Sequence, residues 1–350
     1  MATRCIEAKT DAERWLAGQE TDQARGTWVD SRLGKVTFQE WADQWMDTGH
    51  KRPSTAARDA HVVKAHLKPA LGTRPLGSIS PLDIRRLVED MGTRLAPATV
   101  RTNYGVLRAI FNAAVEAELI VRSPCRGIRL KPDQHRERPT LGPEDLKKIA
   151  DRMAERYRPM VFLAGVLGLR WSEVAALRVG RIDFLRSTII VAEAMPEVDG
   201  RPVPGKPKTK AGHRTLAVPP FLIEMISEHL VRRGLKAENA HELVFAAPSG
   251  GPLRASNFRN RVWAPAVEAA GYSALTFHDL RHAATSLMVE AGEHPRVIQH
   301  RLGHSTARLS MELYAHVSDD ADRQVANHLE HRFSTPRGTQ GARPPRKRSS

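Results

Sequence analysis

Cysteine is nearly missing from this chain of 350 residues: Cys5 and Cys125 are its only two. Two sulfurs so far apart in sequence build neither a disulfide framework nor a zinc ribbon, and a reducing, cytoplasmic setting is the expectation. Long apolar runs are missing as well; no stretch reaches the ~18 residues of a membrane-spanning helix. The first residues, MATRCIEAKTDAERWL, carry no apolar segment of the secretory kind. No repeat at solenoid periods is present. Acid is in the minority, with 39 Asp and Glu against 54 Lys and Arg, a formal net charge of +15.

What is present describes a folded protein of more than one core. Hydrophobic residues make up 41% and charged residues 27%, and the length exceeds what one typical core serves, so two domains are expected. A basic excess of this size suits a polyanion, because each neutralised phosphate releases condensed counterions. The last stretch, RGTQGARPPRKRSS (337–350), holds five positive charges and no acid, but removing it leaves +10. The excess therefore belongs mostly to folded segments. Arginine outnumbers lysine heavily, which suits paired contacts to phosphate.

Residues 1–33 hold one short helical pattern, KTDAERWLAGQE, then a turn at RGTWVDSRLG. At Thr37 a T-x-x-E capping box with Glu40 opens a helix whose apolar stripe is Phe38, Trp41 and Trp45. STAARDAHVVKAHLKPAL reads as a second helix. A third starts at Ser80, has Pro81 in its first position and buries Ile84, Leu87, Val88 and Met91. The fourth is expected over 97–120, with Arg101 and Arg108 on one side. Together these make 34–125 a compact helical domain. VRSPCRGIRLKPDQHRERPTLGPED (121–145) follows, with four prolines. Proline stops helices and stiffens the chain, so 126–139 is expected to be a basic interdomain linker. Its Arg126, Arg129 and Lys131 join Arg101 and Arg108 as candidate contacts to nucleic acid.

The second domain, 140–335, reads as mainly helical with one strand pair, STIIVAEA (187–194) and RTLAVPP (214–220). The loop between them carries Lys206, Lys208 and Lys210. Four places in this domain concentrate polar residues. VLGLRWSEVAALRV ends an apolar helix with Arg170 and Glu173, and KPKTKAGHR sits at the hairpin. TFHDLRHAAT opens a helix through a Thr276/Asp279 cap, with Leu280, Ala284, Leu287 and Met288 apolar and His278, Arg281 and His282 on another face. LGHSTARLSMELYAHV brings His304 and Tyr314. Singly, each has a plain explanation: a helix cap, a solvated lysine, a satisfied core histidine, a core tyrosine with a wet hydroxyl.

In order, G-L-R-x-S-E, a hairpin Lys-Thr, H-x-L-R-H, L-G-H-S and a following Tyr resemble the tyrosine recombinase (phage integrase) family over residues 34–330. The resemblance implies a mainly α fold with a small antiparallel β-hairpin or sheet. It also implies a two-domain clamp around DNA, with a helical core-binding domain (34–125) and a catalytic domain (140–335). Carried over, the active site falls on Arg170, Lys208, His278, Arg281, His304 and the nucleophile Tyr314, with Glu173 in support. Lys208 is taken from the Lys-Thr pair, between Lys206 and Lys210. Residues 8–30 resemble only the last helix and exit turn of the arm-binding module of the longest members, so 1–33 is expected to be its remnant; a misassigned start codon gives the same pattern. Residues 336–350 are expected to be a disordered basic tail.

The implied reaction is site-specific recombination, integration or excision of a phage or mobile element, through a 3′-phosphotyrosyl intermediate and without cofactor or metal. Arg170, Arg281 and His304 suit the phosphoryl oxygens, Lys208 the leaving 5′-oxygen, and His278 the tyrosine proton. The implied partners are double-stranded DNA attachment sites, three further copies in a synaptic homotetramer, a host DNA-bending factor and an excisionase, with no membrane and a nucleoid setting. After Tyr314, DDADRQVANHLEHRF resembles the helix that docks on a neighbouring copy, through Ala321, Val325 and Leu329. Rival readings are a Xer-like resolvase, a type IB topoisomerase, a non-catalytic architectural DNA-binding protein and a metal-dependent nuclease using His278 and His282. The last lacks the H-E-x-x-H glutamate and the carboxylate clusters of two-metal sites.

Overall fold

The computed structural model describes Glu13, Ala17 and residues 35–49, 51–132, 139–207 and 209–304, with residue 210 in its backbone only. Lys208, Tyr314, the segment with Ala321, Val325 and Leu329, the basic tail and nearly all of 1–33 lie outside the described residues. Among the described residues no helix is long and apolar enough to cross a membrane. Helices dominate, accompanied by a three-stranded antiparallel sheet and a separate two-stranded hairpin. The chain forms two compact units; one comprises the residues before 139 with Pro196–Val203, the other Pro139–Met195 and the residues from Pro204 onward.

The first unit begins with α1 (Phe38–Thr48), started as its capping box requires. Thr37 N and Oγ1 both donate to Glu40 Oε2 at 2.8 Å, and Glu40 N donates back to Thr37 Oγ1 at 3.3 Å. Phe38 is buried with its ring centroid 5.6 Å from that of Phe111, and half-buried Trp41 donates Nε1 to Ile110 O at 3.0 Å. The second expected helix is not uniform. It comprises α2 (Pro53–Val62), a π-turn over Val63–Leu67 and α3 (Lys68–Leu71). Pro69 has no N–H to give to residue 65 and its ring crowds that carbonyl, so the wider turn relieves the clash. In α4 (Pro81–Arg94), Ser80 N and Oγ donate to Asp83 Oδ2, and Ile84, Leu87, Val88 and Met91 are buried.

Helix α5 (Pro97–Glu116) stops before the expected position 120. Glu118 takes a left-handed conformation (φ 56°), Glu118 N donates to Val115 O at 3.0 Å and Leu119 N to Ala114 O at 2.9 Å. This Schellman closure turns the chain so that Ile120 enters the core instead of continuing the helix. Beyond it, Tyr104 Oη donates to Cys125 O at 3.0 Å, and Ile128 and Leu130 pack on the same core. Arg126, Arg129 and Lys131 are exposed, and Arg101 Nη2 donates to Lys131 O at 3.0 Å. The stretch to residue 132, read from its prolines as linker, thus lies along the helical unit.

The second unit is built on α6 (Pro143–Asp151) and α7 (Arg158–Gly165), the latter buried along most of its length. The apolar run after α7 does not end in Arg170 as a helix; Gly168, at φ 71°, breaks it, and Arg170 is the N-cap of a new short helix, α8 (Trp171–Ala175). The expected strand pair is β2 (Thr188–Val191) with β5 (Arg214–Ala217), in register Ile189 to Leu216 and Val191 to Arg214. A short β1 (Ile182–Asp183) adds to β2; the intervening loop forms its own hairpin from β3 (Glu197–Val198) and β4 (Arg201–Pro202), a stretch that belongs to the first unit. Strands of two residues leave no alternation to read. The Asp199-Gly200 turn, both residues at positive φ, was the available signal. Helices α9 (Pro220–Arg232), α10 (Ala255–Phe258), α11 (Ala264–Ala269), α12 (Phe277–Glu290) and α13 (Pro295–Leu302) complete the described part of the unit.

Phe111 is fully buried. Phe111→Ala should therefore destabilise the first unit by about 3–5 kcal/mol, transfer and cavity terms together. Breaking the exposed Arg94–Asp90 pair by Arg94→Ala should change stability by less than about 1 kcal/mol. Calorimetric melting of the full chain reads both; equal shifts would contradict this core assignment.

Candidate active site

Four segments distant in sequence meet in the second unit: the turn before α8, the end of the lysine loop, the start of α12 and the end of α13. Aromatic packing sets two of them. Trp171 and Phe277 stand perpendicular with ring centroids 5.3 Å apart, and both touch Phe258, at 4.5 and 5.8 Å. Arg170 precedes the first ring and His278 follows the second. Two glycines admit the others. A Cβ on Gly168 would lie 2.4 Å from Leu302 Cδ2, and one on Gly303 (φ 63°) would lie 2.8 Å from Ala211 O. Both positions have left-handed backbone, and at Gly303 the close contact is with a backbone oxygen.

At the centre is Glu173, whose carboxylate is saturated. Oε1 accepts from Arg170 Nη1 at 2.8 Å and Arg214 Nη1 at 3.2 Å; Oε2 accepts from Arg170 N and Arg214 Nη2, each at 3.0 Å. Arg214 also donates Nε to Arg301 O at 2.7 Å and Nη1 to Gly212 O at 3.0 Å. Arg281 is buried beside them, donating Nη1 to Gly168 O and Nη2 to Leu302 O. Arg170 Nη2 reaches Gly303 O at 3.5 Å, and the next residue, His304, is held by its N to Gln299 O at 3.1 Å. His278 and His282 contact each other as perpendicular rings 5.2 Å apart.

Arg170, Glu173, Arg281 and His304 are thus brought together, with His278 on the same helix turn as Arg281. Lys208 lies outside the described residues, although Gly212, four residues on, bonds into the cluster. Tyr314 lies outside them as well. Arg101, Arg108, Arg126, Arg129 and Lys131 all belong to the first unit and are exposed. Arg281 departs from its expected polar face. On the helix it lies between His278 and Met288, and two backbone carbonyls, Gly168 O and Leu302 O, take its donors, which periodicity cannot reveal. Arg214 was missed. Its signal was an arginine opening a strand at an inward position, since β5 alternates buried Arg214 and Leu216 with exposed Thr215 and Ala217.

Residues 139–321 match the model of the Phage integrase family and residues 38–131 that of the Phage integrase central domain. The chain belongs to the phage integrase family. The integrase of Mycobacterium phage L5 is 28% identical over 334 residues, covering 93% of this chain and 89% of the relative. The prophage phiRv2 integrase of Mycobacterium tuberculosis is 30% identical over 337 residues, covering 93% and 88%. The Tn1549 transposon integrase shares the fold with a TM-score of 0.73 at 20% identity, covering 84% of this chain and 99% of that one. As a tyrosine recombinase, this family member carries out site-specific recombination.

The electrostatics of the cluster are those of an anion site. Three guanidiniums, Arg170, Arg214 and Arg281, face the single carboxylate of Glu173. Burial alone would raise the Glu173 pKa, but the bonds and charge of Arg214, and then of Arg170, more than offset this and hold the group below the usual range. Burial, and next the charge of Arg170, push Arg281 down to about 9, which leaves it protonated at neutral pH. His304 is pushed down to about 4, first by burial and then by the charges of Arg281 and Arg170. It is therefore neutral at pH 7, a state in which one ring nitrogen is a donor and the other an acceptor.

A pH effect on stability follows. As pH falls from about 6.5 to about 4, the unfolded chain protonates His304 while the folded one does not, so protons favour unfolding across that window. The wild-type protein should lose more stability between pH 7 and pH 4.5 than His304→Asn, measured by urea unfolding at each pH. Parallel curves would contradict the buried neutral histidine.

Proposed function

We propose that the cluster binds the scissile phosphate of a double-stranded DNA recombination site and stabilises the charge that builds on it during strand exchange. The observation that carries this reading is the convergence of Arg170, Arg281 and His304, from three separate segments, around one saturated carboxylate. Two positive charges in excess, partly withdrawn from water, suit phosphoryl oxygens better than any neutral substrate. Arg170 and Arg281 donate to the non-bridging oxygens, and neutral His304 adds a hydrogen bond. The hydroxyl of Tyr314 attacks phosphorus, aided by His278, and the 5′-oxygen leaves with a proton from Lys208. A 3′-phosphotyrosyl bond forms as the phosphodiester breaks; a 5′-hydroxyl from another strand reverses the step, so no nucleotide is hydrolysed.

The exposed Arg108, Arg126, Arg129 and Lys131, with Arg101 holding the segment in place, supply backbone contacts to DNA. Likeness to integrases of mycobacterial phages and of a transposon supports integration and excision of a mobile element as the biological use. Four copies are expected at synapsis, since two duplexes carry two cleavage sites each. The boundaries proposed are a helical domain (34–125), a linker (126–139) and a catalytic domain (140–335), and a host DNA-bending factor and an excisionase are the proposed accessory partners.

Tyr314→Phe should bind DNA as the wild type does and form no covalent adduct with a nicked suicide substrate on a denaturing gel. An adduct that survives in this variant would sink Tyr314 as nucleophile. Lys208 is tested by the leaving group. A bridging 5′-sulfur leaves as a thiolate, with thiol pKa near ~8.5, and needs little acid help. Lys208→Ala should therefore cleave the oxygen substrate slowly and the sulfur substrate at nearly the wild-type rate, whereas Arg170→Ala stays defective on both. Rescue of a Lys206 or Lys210 variant instead would move the role to that residue.

A further inference from the structure

We propose that Arg214 is a positioning residue for recombination: it aims Arg170 through Glu173 and ties the His304 segment to the end of the lysine loop. This rests on the phosphate-binding reading of Arg170 and His304 given above.

The Arg214 side chain has almost no donor left for a ligand. It is 1% exposed, and its bonds use four of the five N–H groups of a guanidinium: Nε to Arg301 O, Nη1 to Gly212 O and Glu173 Oε1, Nη2 to Glu173 Oε2. A group so enclosed does not reach a phosphate. Its contacts instead span the three segments that must agree. Glu173 takes two bonds from Arg214 and passes the constraint on by its two bonds to Arg170, one to the backbone N and one to Nη1. Arg301 O lies three residues before His304, on the last turn of α13. Gly212 O closes the loop that carries Lys208. The fork is needed in full. Lysine would keep the charge but present one nitrogen in place of three, so it cannot bond Glu173 in parallel and Arg301 O together.

The chemistry gives a readout that a merely structural role does not move. Arg170 matters because negative charge grows on the non-bridging oxygens. A methylphosphonate at the scissile position replaces one of those oxygens with a neutral methyl, so less charge must be met and a misaimed Arg170 costs less. Loss of folded protein, by contrast, lowers cleavage of both substrates by the same factor.

The experiment uses the full chain and half-site DNA carrying either linkage, with single-turnover cleavage, gel-shift affinity and thermal melting measured for R214K, R170A and the double variant. R214K is expected to bind DNA within about threefold of the wild type and to cleave the phosphodiester about 100-fold more slowly, the scale of a ~1 Å misplacement. On the methylphosphonate its deficit should shrink to under about tenfold. The double variant should be no worse than R170A, because both lesions act through one group. Equal deficits on the two linkages, or additive loss in the double variant, would overturn the proposal. If R170A itself cleaves normally, the phosphate-binding reading fails, and the role assigned to Arg214 goes with it. Should R214K not fold, E173D, which keeps the buried pair but shortens the tether, carries the same expectation. Collapse of both would assign Arg214 to stability alone and overturn the proposal.

Discussion

The buried Glu173 carboxylate is the constraint on which the rest of the site depends. An isolated carboxylate in such a place costs several kcal/mol of lost hydration, and it persists only because four donors from two arginines complete its shell. That requirement works in both directions. Glu173 holds its charge because Arg214 and Arg170 are there, and those arginines are held by that carboxylate together with the carbonyls of Arg301, Gly212 and Gly303. The surrounding fold has to deliver both to within hydrogen-bonding distance, which is why a strand, a short helix and the end of another helix converge at this point.

The convergence is made by apolar contacts, and its polar consequences follow. Trp171, Phe258 and Phe277 form one aromatic cluster, and two of the catalytic candidates, Arg170 and His278, adjoin its rings. Gly168 and Gly303 remove the side chains that would hold the segments apart, and their carbonyls serve as acceptors: Gly168 O for Arg281, Gly303 O for Arg170. The result is a cluster of guanidiniums whose orientation is already set by hydrogen bonds to Glu173 and to backbone carbonyls. In a water-poor setting such preorganised charge is worth more than the same groups in solution, because no reorientation is needed as charge develops. The neutral state of His304 belongs to the same balance, since two neighbouring cations and burial disfavour a third positive charge.

In the first unit the same economy of means orders the basic residues. Tyr104 fixes Cys125, and Ile128 and Leu130 seat the chain on the helical core, so that the alternating Arg129 and Lys131 point outward. The arrangement sets these charges in a row on the surface of the unit instead of on a free chain.

The sequence by itself determined the helix starts and the buried stripes. Thr37 with Glu40, Ser80 with Asp83, and Ile84, Leu87, Val88 and Met91 are local patterns, whose physics lies within one or two turns. It also determined the functional class, because the spacing of Arg170, His278, Arg281 and His304 in their motifs survives without coordinates. Tertiary structure decided the remainder. The break at Gly168, the halt at Glu118, the π-turn before Pro69 and the two-residue strands depend on contacts or closures that no periodicity carries. The burial of Arg281 and the role of Arg214 depend on backbone carbonyls from distant segments. A charged side chain in a sequence looks solvated until the fold shows which partners have replaced the water, and for these two arginines the partners lie 113 and 41 residues away, at Gly168 and Glu173.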